Sequence, residues 1–173
     1  MSATVAAMDM KQYLLDTFAF NDRANRQVLE KLPHLPDKKE AVRLFSHLVN
    51  SQDKWLARLT QYPRDPGLSW WDPVHELHRL EPEWERSLGT WRDFLAAKAE
   101  PDFFAPVHWI GFDGATWSAA LKDIPLQLNY HSIHHRGQIQ ALIRAQGLTP
   151  DFVDYIGTVY RKLDRSTDRL ELS

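Results

Sequence analysis

Apolar residues recur at helical spacing in four long runs, divided by stretches that carry proline, glycine or charge. The first run holds Leu14, Phe18, Val28, Leu29 and Leu32; it starts behind Asp9 and Gln12, which read as a capping box, and is interrupted by Pro33. A second capping box, Asp37 with Glu40, opens the run Ala41, Leu44, Phe45, Leu48, Trp55, Leu56 and Leu59, which ends near Tyr62 and Pro63. The third contains Leu77, Trp84, Leu88, Trp91 and Leu95, with Pro82 either kinking it or marking its true first turn. The fourth starts at Asp123, has Pro125 in its first turn and runs to a stop at Gly147.

Before the fourth run, "FFAPVHWIGFDGATWS" alternates apolar and polar residues around Asp113-Gly114, the pattern of a short β-hairpin. Pro150 to Leu163 reads as a loop and a short terminal helix, followed by a polar tail. The expectation is therefore one all-α domain over residues 1–173. It comprises a four-helix bundle over about 9–147 with a hairpin inserted before the last bundle helix, a terminal loop and helix over 148–163, and a tail over 164–173.

Several polar residues break the apolar stripes. Asn21 and Asn25, four apart, fall on the inner face of the first helix, and buried amides call for partners. On the last helix, at about 100° per residue, Ile124, Leu128, His131, His135, Gln138, Ile139 and Leu142 share one face. His134 points to the side, while Leu126, Ile133 and Gly137 form a second strip suited to another helix or a dimer partner. Gly137 reads as permitting close helix approach, and Arg136 as pairing with an acid or capping a neighbouring element.

Composition narrows the chemistry. With 21 Lys and Arg against 23 Asp and Glu and no basic block, the chain offers nothing to neutralise a run of phosphates, which argues against nucleic acid as a partner. There is no cysteine, so a metal must sit on nitrogen and oxygen, and any reacting sulfur must come from outside the chain. Neither a signal peptide nor a membrane span is evident, and a soluble cytoplasmic protein is expected.

Two inward histidines one turn apart can offer nitrogen to one ion. His34 lies in a loop between prolines, His75 and His78 read as solvated, and His108 in the hairpin stays open as a third ligand. His47, on the flank of the second helix's stripe, is the best geometric candidate. A three-nitrogen set leaves positions for water, whose pKa an ion lowers to roughly 7, or for a substrate thiol. The stretch "HSIHH" has no Glu, which disfavours a HExxH-type protease. Trp55, Trp109 and Trp117 are candidate pocket walls, though each suits a core equally well.

"HSIHHRGQIQALIRAQGLTPDFVDYI" resembles the signature of the DinB-like (DinB/YfiT) superfamily, in which two histidines separated by three residues precede Arg-Gly-Gln on the last bundle helix. "FNDRANRQVLEKL" and "LFSHLVNSQDKWLARL" are similar to that family's first and second helices. The resemblance implies an up-down-down-up bundle, a divalent ion (nickel, zinc or iron) on His47, His131 and His135, and often a homodimer. Asn50, His134, Gln138 and Asn25 are candidates for orienting those ligands. The expected activity is a thiol-dependent S-transfer, with a low-molecular-weight thiol as cosubstrate, or metal-water chemistry on small molecules. The alternative is a non-catalytic, stress-associated protein whose ion is structural.

Overall fold

The computed structural model describes residues 9–160. Four long helices are present: α1 (Met10–Lys31), α2 (Lys39–Gln61), α3 (Leu77–Ala96) and α4 (Asp123–Ala145). Strands β1 (Pro106–Ile110) and β2 (Thr116–Ala120) pair antiparallel, with Trp109 opposite Trp117, and a short α5 spans Ile156–Val159. The expected hairpin before the last long helix is thus found, with Gly114 in its connecting loop at φ 76°, a left-handed conformation that favours glycine. The last residues of the expected terminal helix, 161–163, and the whole tail lie outside the described residues. Among the described residues no helix is long and apolar enough to cross a membrane.

The helix ends follow their local chemistry more than the box motif. Asp9 accepts from the Gln12 amide at 2.7 Å, but the Gln12 side chain bonds forward to Asp16 instead of back to Asp9, so half the box forms. Asp37 accepts from the amide of Lys39 at 3.0 Å, one residue short of the expected partner. Glu40 is taken by Arg43 at 2.6 Å, because a charged partner one turn on outcompetes a backbone amide. Pro82 sits inside α3, not in its first turn; it lies on the exposed face, where water can serve the carbonyl it leaves without a helical donor. At the end of α4, Gly147 (φ 85°) donates to Arg144 and Leu148 donates to Ile143, the paired bonds of a Schellman stop.

Both α1 and α2 pack against α3 and α4. Phe18, Phe45, Trp84 and Trp91 are fully buried between them. The Phe45 and Trp84 rings meet edge to face at 5.6 Å, and Phe18 tilts on Trp91 at 5.9 Å. Each buried indole N–H has an acceptor: Asp22 Oδ1 for Trp84 at 3.0 Å and the Gln52 carbonyl for Trp91 at 2.9 Å. Satisfied donors let such large side chains be buried without stranding a polar atom. Residues 44–52 of α2 are buried without interruption, since α3, α4 and the loop after α2 cover different sides of it.

Candidate metal centre

α2 and α4 meet at three histidines. His131 and His135, one turn apart on α4, face His47 of α2, and one ring nitrogen from each lies within 4.8 Å of the others. The His47 and His131 Nε2 atoms are 2.8 Å apart. Among the described residues this is the group of metal-ligating side chains close enough to share an ion, and it contains no carboxylate. A cavity of about 230 Å³ opens beside it, with Ser51, Trp55, Trp70 and Gln127 in its walls.

Hydrogen bonds fix how two of the rings present themselves. The Nδ1 of His47 donates to the Trp70 carbonyl at 2.6 Å, which leaves its Nε2 with a lone pair turned toward His131. The Nδ1 of His135 donates to Gln138 Oε1 at 2.7 Å, so its Nε2 is likewise a lone-pair nitrogen. Trp71 stacks on His47 at 3.8 Å between centroids, and the Arg43 guanidinium carbon lies 4.4 Å from the centroid of that indole. The loop carrying both tryptophans is tied to α2 at Ser46, which accepts from the His75 amide, and at Asn50, which donates to the Pro73 carbonyl at 3.0 Å.

Burial lowers the pKa of all three imidazoles. His131 falls to about 4, first through desolvation and then through the charges of His135, His47 and His134. Desolvation also leads for His47, opposed by its bond to Trp70, and for His135, opposed by its bond to Gln138. Neutral imidazole is the form that ligates metal. A zinc–nitrogen bond of about 2.0–2.1 Å in tetrahedral geometry places nitrogens roughly 3.3 Å apart. The separations here, from 2.8 Å to no more than 4.8 Å, bracket that value, so the donor set fits a divalent ion.

The other candidates separate cleanly. Gln138 touches His135 and, through Nε2, His134 at 3.3 Å, while His134 is itself exposed. Asn50 reaches the loop over His47, not a ring nitrogen. Asn25 bonds to Ser132, Asn21 and Arg136 and to none of the three histidines, because its face of α1 meets a different side of α4. His34, His78 and His108 are exposed and His75 is partly buried, all outside the cluster. Trp55 walls the cavity and Trp109 packs behind it at 5.1 Å, whereas Trp117 is half exposed and donates to Asp113.

Two expectations about the Arg-Gly-Gln stretch are corrected. Arg136 has no acid partner within ion-pair distance among the described residues; it is 3% exposed and donates to Asn21 at 2.9 Å and to Asn25 at 3.1 Å. Within the chain Gly137 permits no close helix approach, since a Cβ there would meet none of its described atoms within 4 Å. The contribution of Trp70 and Trp71 was missed. A backbone carbonyl has no sequence signature, and the available signal is the adjacent tryptophan pair in the proline-rich loop between α2 and α3.

Four long helices, a hairpin and a three-histidine cluster define a class of helical protein with a candidate metal centre. The family model described as "DinB family" matches residues 1–168, and the chain belongs to the DinB family. Among curated proteins and among solved structures nothing matches the chain.

Proposed function

We propose that the protein holds one divalent ion on His47, His131 and His135 and uses it on a small molecule that enters the adjoining cavity. The observation that carries this reading is the meeting of three neutral, inward-turned imidazoles at the wall of a cavity, with two of their Nδ1 protons already committed to oxygen acceptors. When bound, the ion supplies Lewis-acid activation of a water or of a substrate thiol. The chain's part is to hold the rings and to exclude bulk water with Trp70 and Trp71. It has no cysteine, so a thiol-dependent transfer would take its sulfur from a low-molecular-weight cosubstrate.

The same reading includes an up-down-down-up order of the helices. Its support lies in contacts that advance together or in opposition along the chain. Phe45 meets Trp84 and Gln52 meets Trp91, as for parallel α2 and α3. Arg26 meets Glu81 and Lys11 meets the Ala96 carbonyl, as for antiparallel α1 and α3.

The test is metal content of untagged protein after loading with nickel, zinc or iron, measured by mass spectrometry. About one ion per chain is expected, with the His135→Ala variant retaining far less. A wild type without stoichiometric metal, or a variant that holds as much, overturns the assignment. Turnover of small electrophiles with several thiols then separates catalysis from a structural ion, which would raise the melting temperature without any turnover.

A further inference from the structure

The face of α4 turned away from the bundle carries a seam of its own. Leu126, Tyr130, Ile133, Gly137 and Ala141 follow one another at steps of three or four residues, opposite the buried Leu128, Ser132, Ile139 and Ile143. Tyr130 is 62% and Ile133 48% exposed, and a Cβ at Gly137 would meet none of the chain's described atoms within 4 Å. The apolar surface continues across the adjoining groove to Tyr13 of α1 and to Tyr155, both exposed as well. Contiguous apolar surface of this kind on a water-facing helix marks a contact with another protein.

The ends of the seam say which protein. Asp123 begins it and Arg144 closes it, both exposed and both on the same face of the helix. Among the described residues Asp123 pairs only with its neighbour Lys122, and Arg144 pairs with no acid. A two-fold axis crossing α4 between Ile133 and His134 lies about 16 Å along the helix from each of these charges, at 1.5 Å per residue. About that axis Asp123 of each copy falls opposite Arg144 of the other. The same operation sets Leu126 against Ala141 and Tyr130 against Gly137, so each large side chain meets a small one, and it brings the two Ile133 side chains together at the centre. A parallel pairing would instead set acid on acid, base on base and large on large. The seam is complementary to itself in one direction only.

We propose that α4 docks antiparallel against α4 of a second copy of the chain, in a two-fold dimer centred on Ile133. Gly137 and Ala141 let the two helices approach closely, and the paired charges at the ends fix the register. The contact is independent of the metal centre and needs no ion.

The experiment is sedimentation of the full, untagged chain, which is expected to run at twice the chain mass at about 100 µM. Ile133→Glu, at a half-exposed position that leaves the core alone, sets two carboxylates at the axis and should weaken the dimer at least about 100-fold, with helical content by circular dichroism unchanged. Arg144→Glu should weaken it about tenfold, because like charges then face each other, and adding Asp123→Arg should restore most of the loss. The chain has no cysteine, so register can be read by oxidation. Ile133→Cys should crosslink copy to copy, whereas Ala145→Cys, about 35 Å from its counterpart in the antiparallel pairing, should not. A wild type that stays monomeric at about 100 µM, as it would if residues 161–173 or an unrelated protein took the seam, overturns the proposal. So does a dimer that Ile133→Glu leaves intact, or crosslinking of Ala145→Cys as ready as that of Ile133→Cys.

Discussion

The imidazole of His47 lies flat against the indole of Trp71, 3.8 Å between ring centroids and 12° from parallel. The neighbouring Trp70 carbonyl takes the Nδ1 proton of the same ring. Two consecutive loop residues thus fix both the plane of His47 and its tautomer.

Replacing Trp71 with Ala should weaken metal binding about 10- to 100-fold, the usual cost of losing a group that orients a ligand. The indole is 39% exposed, so the melting temperature of the metal-free protein should hardly move. Calorimetric metal titration beside a thermal melt checks both; unchanged affinity would show that the stack does not position His47.

Gln138 makes the matching bond to His135. Gln138→Leu should cost about tenfold in metal affinity, whereas Gln138→Glu, which keeps an acceptor oxygen, should retain most of it. Equal losses in the two variants would rule out an acceptor role.

Burial holds His131 at about 4 and lowers His47 and His135 in the same direction. Below the ordinary histidine value of about 6.5 the unfolded chain therefore binds more protons than the folded one. This contribution to the stability of the metal-free protein is complete above about pH 6.5 and is lost as pH falls toward 4. Urea unfolding at about pH 7 and about pH 5 should show a larger loss in wild type than in His131→Gln. Identical losses would refute the linkage.

Arg136 is held by side-chain amides instead of a carboxylate. Arg136→Met removes a buried charge but strands the Asn25 oxygen, a loss of about 1–3 kcal/mol in urea unfolding. Adding Asn25→Leu should recover nothing, because it also removes the second donor to Asn21 Oδ1 and so strands that oxygen in turn. A single variant as stable as wild type would mean that the guanidinium contributes nothing net.

Much of this fold is written in periodicity. The four apolar runs, the hairpin around Asp113-Gly114 and the Gly147 stop all appear where the pattern places them, because burial and turn chemistry act locally. The pairing of His131 with His135 follows from the helical angle alone, and His47 joins them from the flank of its own stripe. What could not be read is what depends on competition between partners. Glu40 chose Arg43 over a helix cap. Arg136 and Asn129, polar by type, belong to the buried side of α4 because α1 brings Asn21, Asn25 and Thr17 to meet them. That rotates the interior of the helix away from Gln138, which is exposed.

The open space around Gly137 has a practical side. The chain contains no cysteine, so Gly137→Cys would give α4 a single thiol two residues from His135, on a surface where an added side chain displaces none of the chain's own described atoms. Replacing a mid-helix glycine with cysteine should also firm the helix by about 0.3 kcal/mol. A nitroxide attached there becomes a ruler for the neighbouring centre, its relaxation quickening when nickel arrives and staying slow with zinc.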